Sequence, residues 1–124
     1  MPHTKTDLIR KFFAAYEARD RAYVEGGMTD DFTFTSPYDD AIDKAAYFQR
    51  CWPVSQRTIK QNVLERVAEQ GSEAFVTYRC LTTKGDEFRN TEFFVFEGDR
   101  VKSIDVYFGA SYRDGKFVKQ KPDP

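Results

Sequence analysis

Between Thr91 and Phe96 the chain reads Thr-Glu-Phe-Phe-Val-Phe, and no other stretch restricts the fold as strongly. Side chains alternate across a strand, so Glu92, Phe94 and Phe96 share one face while Phe93 and Val95 share the other. A sheet with one wet face alternates polar and apolar residues, and apolar character on both faces calls for a cover on both. Helices in so short a chain cover one face only. The other, carrying Phe93, Val95, Asp105 and Tyr107, predicts a homodimer, with the C-terminal tail folding over it as the alternative cover.

The rest of the chain supplies those helices and the neighbouring strands. Thr4 can cap a helix over about residues 5–19, with Asp7 three residues on and Leu8, Phe12 and Tyr16 recurring beside Ile9 and Phe13. Asp20 can cap a short second helix that Gly26 and Gly27 end. Phe32 to Thr35 alternates as a strand, stopped by the turn-forming run from Ser36 to Asp40. Asp43 can cap a third helix that ends before Pro53, because proline disfavours helical geometry in the residue it follows. Four extended segments come next, near 57–69, 73–83, 87–97 and 100–108, joined by short turns that make them antiparallel neighbours. The expected class is α+β, with three N-terminal helices packed on a mostly antiparallel sheet. One domain spans 1–124, with its core at about 6–109 and a tail over 110–124.

Composition removes several function classes. Net charge is -1 with both signs interspersed, so no basic stripe marks a nucleic-acid face. No apolar run reaches a membrane span, and the N-terminal residues lack an apolar signal core, which reads as cytoplasmic. Cys51 and Cys80 fit neither a disulfide framework nor paired metal-ligand spacing. The single histidine, His3, lies in what reads as a frayed terminus, which removes histidine-based triads, zinc sites and histidine acid-base work. The seven glycines form neither a dinucleotide nor a phosphate-loop fingerprint. No metal and no cofactor is expected. Carboxylates, tyrosines and arginines are left to carry any chemistry.

The three helices, the Phe32–Thr35 strand, the Arg89-Asn90-Thr91-Glu92-Phe93 run and the Val106-Tyr107-Phe108-Gly109 run together resemble the SnoaL-like branch of the nuclear transport factor 2 superfamily. The resemblance covers about residues 6–109 and implies a strongly curved sheet shaped as a cone around a small-molecule pocket. The superfamily includes isomerases, cyclases, hydrolases, dehydratases and non-catalytic binders, so the fold does not name an activity. Set against the ketosteroid isomerase pattern of an aspartate base, a tyrosine and a protonated acid, this chain has Ser36 at the base position and Phe12 at the tyrosine position. Glu92 alone keeps a carboxyl group.

Glu92 is accordingly the first catalytic candidate. A carboxylate among phenylalanines is costly to ionise and suited to acid-base work unless a cation holds it charged. Arg79, on the neighbouring strand, is expected to face it and could be that cation, in which case the pair would be structural or would orient a polar ligand group. Asp39 and Asp40, after the first strand, are candidate bases, or simply solvated turn acids. Tyr16, Tyr38, Trp52, Phe34, Phe94 and Phe108 are candidate ligand contacts, with Tyr47 as a further phenol; each also suits ordinary packing. Asp105 falls on the outer face by parity, where it would pair with a base such as Arg89. The reading is a cofactor-independent isomerase, cyclase or hydratase, or else a non-catalytic binder of a small apolar or cyclic ligand. Both require a cavity of about 300 Å³ or more beside Glu92, whereas a filled interior would leave only a dimerisation module.

Overall fold

A computed structural model describes residues 4–118; His3 and positions 119–124 of the tail lie outside them. Four helices, α1 (Lys5–Glu17), α2 (Arg21–Gly26), α3 (Lys44–Arg50) and α4 (Trp52–Thr58), pack with seven strands. The strands are β1 (Met28–Ser36), β2 (Asp39–Asp43), β3 (Ile59–Gln70), β4 (Glu73–Thr82), β5 (Glu87–Glu97), β6 (Arg100–Arg113) and β7 (Lys116–Val118). They form one curved sheet in the order β2-β1-β6-β5-β4-β3, with β7 added to the far end of β6. Every pairing is antiparallel except β1 with β6.

The expected caps set the helix starts. Thr4 accepts from the Asp7 amide at 3.0 Å, Asp20 from Tyr23 at 3.1 Å and Asp43 from Ala46 at 2.9 Å, each satisfying a first-turn donor that has no partner inside its helix. The apolar stripe of α1 buries Ile9, Phe12, Phe13 and Ala15 against the sheet. Both ends of α1 are tied to β3, an edge strand: the Asn62 amide donates to Glu17 at 2.7 Å, and the Thr6 amide donates to Glu69 at 3.1 Å. The first gives a β3 backbone donor a partner, and the second satisfies a first-turn donor of α1.

The structure departs from the expected order in three places. The run after Ser36 is not only a turn; it returns as β2, pairing Ser36 with Asp39 and Phe34 with Ile42 through a bulge. Pro53 does not end the helical region either. The helix breaks at Cys51 and restarts, with the proline in the first turn of α4, where its missing N–H costs nothing. The last strand also runs on past Gly109, so residues expected in a tail form the end of β6 and β7.

Bulges lie between Phe34 and Ser36, Leu64 and Arg66, Phe88 and Asn90, and Val95 and Phe96. Each adds local twist and bend, and together they curl the sheet around the helices. Gly109 sits opposite the bulge at Arg89, where a β-carbon would collide with the Arg89 carbonyl oxygen, so only glycine lets β6 approach β5 there. The inner face buries Val76, Tyr78, Cys80, Phe94, Phe96 and Ile104. The outer face leaves Phe75 49 % and Tyr107 57 % exposed, with Phe75 and Phe93 in ring contact at 4.7 Å. Among the described residues no helix is long and apolar enough to cross a membrane.

Candidate functional site

The curled sheet and the helices line a half-open cavity of about 630 Å³. Phe12, Phe13 and Tyr16 of α1, Tyr47 of α3 and Val54, Ser55 and Thr58 of α4 form one wall. Tyr78 of β4, Phe88, Asn90 and Glu92 of β5, and Ile104, Val106 and Phe108 of β6 form the other. The volume is that of a small-molecule site, and the interior is not the filled one that a dimerisation module alone would have.

Glu92 lies within this cavity, and its Oε2 accepts a 2.5 Å hydrogen bond from the Tyr78 phenol. Asn90 donates to the Tyr78 oxygen at 3.3 Å, and its own carbonyl accepts from the Gly109 amide at 3.3 Å. The chain Gly109, Asn90, Tyr78, Glu92 therefore depends on the close approach that glycine permits. Burial pushes the Glu92 carboxyl up from 4.5 to about 7, the Tyr78 hydrogen bond opposing the rise. Tyr78 itself is raised well above the ordinary phenol value, by burial first and by the charge of Glu92 second. Near neutral pH this leaves Glu92 able to give or to take a proton, with Tyr78 a committed donor.

A second phenol pair faces the same space: the Tyr16 and Tyr47 hydroxyls are hydrogen-bonded to each other. Burial raises both, so both stay protonated and keep a donor available. On the more exposed side, Asp39 is held by Arg50 at 2.9 Å and accepts from Ser36 Oγ at 3.1 Å, with Cys51 Sγ at 3.8 Å. Burial, then the Asp39 charge, push the Cys51 thiol up to about 12. Tyr38 meets Phe108 edge to face at 5.4 Å beside this group.

Most of the expected site residues come together, and four do not. Glu92, Asp39, Tyr16, Phe34, Tyr38 and Phe108 all line the cavity, as does Tyr47. Arg79 does not face Glu92. The register sets Arg79 opposite Arg89 and Glu92 opposite Val76, which puts Arg79 on the outer face, 3.2 Å from Glu87 without an aligned hydrogen bond. Asp40 points away from the cavity into solvent. Trp52 and Phe94 are core: Trp52 packs on Tyr16 at 5.1 Å and on Phe48 at 5.8 Å. Phe94, fully buried, packs on Phe12 at 5.9 Å and stacks on Phe96 at 6.0 Å, which is also core. On the outer face Arg89 pairs with Glu65 at 2.8 Å, not with Asp105, which lies opposite Phe93.

The polar residues at the site that escaped the sequence reading include Tyr78, Asn90, Asn62 and Arg50. Asn90 carried a usable signal, because it lies two residues before Glu92 on the same face; Tyr78 belongs to a strand apolar on both faces, and only the register shows it pointing inward. Asn62 carried none. It lines the cavity from β3, and its buried side-chain oxygen has no partner among the described residues. No cluster of ligating side chains suited to a metal occurs among the described residues either.

Solved structures share this architecture. A nuclear transport factor 2-like protein of unknown function from Cytophaga hutchinsonii superposes with a TM-score of 0.71 at 19 % identity, covering 87 % of this chain and 92 % of its own. A proposed polyketide cyclase from Sinorhizobium meliloti gives 0.67 at 14 % identity, covering 81 % and 93 %. A proposed ketosteroid isomerase from Kribbella flavida gives 0.72 at 16 % identity, covering 94 % and 89 %. At such identities the likeness is one of fold. No curated protein sequence matches the chain. The SnoaL-like domain model matches residues 9–104, from the first turns of α1 to the middle of β6, and the chain belongs to the SnoaL-like domain family.

Proposed function

We propose that the chain is a cofactor-free acid-base enzyme acting on a small, mainly apolar ring compound, with Glu92 as the group that moves the proton. The observation that carries this reading is Glu92 itself: a carboxyl group raised to about 7 inside a 630 Å³ aromatic cavity, with a phenol hydrogen-bonded to it. A carboxyl so placed has the driving force for proton transfer that an ordinary surface glutamate lacks at neutral pH. Tyr78 orients it. The Tyr16–Tyr47 pair faces the same space and offers a donor to an oxygen or nitrogen that gains charge as the proton moves. The likeness in fold to a proposed cyclase and a proposed isomerase supports chemistry of this general kind.

A panel of cyclic ketones and cyclic iminium compounds incubated in D2O tests this. Proton magnetic resonance should show deuterium entering a carbon next to the carbonyl or iminium group, and Glu92→Gln should stop it. Exchange at equal rates in both proteins would sink the proposal.

The second reading is a non-catalytic binding domain. It is favoured by Asp39, whose side chain is only 10 % exposed and is tied to Arg50, so Glu92 has no free second carboxylate to share a proton relay. Compounds that raise the melting temperature of both proteins and are recovered without exchange would support it. Phe75 and Tyr107, exposed on the outer face, and the half-buried Phe93 beside Phe75 suit an isologous contact with a second copy of the chain, and we propose a homodimer through that face.

A further inference from the structure

We infer that the ligand of this cavity is an organic cation, a compound whose apolar body fills the aromatic cup and whose positively charged nitrogen lies against Glu92. The inference rests on Glu92 being the working group of the site and adds the charge of what it meets.

Three charged side chains line the cavity: Asp39, Arg50 and Glu92. Arg50 is committed to Asp39 at 2.9 Å, so those two cancel. Among the described residues no lysine or arginine is paired with Glu92; Arg79, the one cation of the adjacent strand that the sequence offered, is on the other face of the sheet. The titratable groups around Glu92 are Tyr78 and Cys80 of β4, Tyr16 of α1 and Tyr47 of α3, and none is basic. A carboxylate enclosed without a cationic partner is costly, and a neutral ligand that expels water from around it makes it costlier. A cationic ligand supplies the missing charge.

The walls favour the same ligand independently. Nine of the lining side chains are aromatic, Phe12, Tyr16, Tyr47 and Phe88 among them. Ring faces carry negative electrostatic potential and attract a cation once water is excluded. With the cation in place Glu92 is held as a carboxylate, which fixes its role as the acceptor of a proton from the ligand.

Two probes of one shape separate charge from fit: phenyltrimethylammonium and its neutral isostere tert-butylbenzene, titrated by calorimetry at pH 8 and pH 5. The ammonium should bind about tenfold or more tightly than the hydrocarbon at pH 8. Most of that preference should vanish at pH 5, and in Glu92→Gln at either pH, with unchanged circular dichroism showing the variant folded. Equal affinities at pH 8, or a preference as large in Glu92→Gln as in the wild type, would overturn the inference. If the two bind equally and Val106→Trp, which fills the cavity, abolishes both, the cavity remains the ligand site and only the charge assignment falls. If neither binds, both readings fail.

Discussion

Tyr78 and Glu92 are diagonal neighbours on adjacent antiparallel strands, Tyr78 opposite Asn90 and Glu92 opposite Val76, and the phenol closes the diagonal with a 2.5 Å hydrogen bond to the carboxylate. That bond is the one influence holding the Glu92 carboxyl down against burial. Tyr78→Phe should therefore move its titration upward, by about one pH unit for a hydrogen bond to a charged group. Carbon-13 resonances of labelled glutamate carboxyls report it directly. An unchanged or lowered midpoint would show that Tyr78 does not support the ionised form.

The same burial makes stability depend on pH. In the folded chain Glu92 holds its proton to about 7, against an ordinary value of 4.5, so folding favours the protonated form. Its contribution is full below 4.5, is lost as pH rises through 7, and is flat above. That interval corresponds to at most about 3 kcal/mol at about 1.36 kcal/mol per pH unit, because Glu92 is only partly buried and solvent screens some of the penalty. Denaturant melts of the wild type and of Glu92→Gln, compared from pH 4 to pH 8.5, isolate it. The wild type should lose up to that much relative to the variant, and parallel pH profiles would contradict the buried, unpaired carboxyl.

Cys51 reports on the acid-base pair beside it. The Asp39 charge raises the thiol and Arg50 lowers it, both on top of burial. Since the thiolate is the reactive form, Asp39→Asn should speed alkylation of Cys51 by iodoacetamide at pH 9, and Arg50→Ala should slow it, each by several-fold. A cavity ligand should protect Cys51, which lines the same space. Mass spectrometry distinguishes it from Cys80, which is fully buried.

If a second copy covers the outer face, Phe93→Glu should turn a dimer into a monomer in light scattering while leaving the cavity intact. The aromatic pair Phe75–Phe93 would otherwise face a new charge across the interface. A wild type that is monomeric at tens of micromolar would remove the proposed contact.

The sequence was most informative where alternation along one strand settled the matter. Glu92 faces inward because Phe94 and Phe96 do, and Asp105 and Tyr107 face outward because Ile104 and Val106 do not. It failed where the answer lay between strands. Arg79 belongs to a strand apolar on both faces, with Phe75 and Leu81 on its side and Val76 and Cys80 on the other, so no wet face marked its direction and only the register shows it opposite Arg89. Depth is equally invisible in one strand. Phe94 and Glu92 share a face, yet the packing of α1 seals the first and leaves the second lining the cavity. Trp52 went into the core because Pro53 starts a helix here, and a proline reads equally well as a stop or a start.

The parallel pairing of β1 with β6 sets Phe34 beside Ile104 and Thr35 beside Asp105, seventy positions apart in the chain. Two walls of the cup are joined by a seam that can close only when the last long strand has been synthesised. Nascent chains emerging from the ribosome would display the aromatic lining to solvent until that moment, and closing so long a loop is among the slower events a domain of this size can require. The interior that suits a ligand in the finished protein is, until that seam closes, an aromatic surface open to solvent.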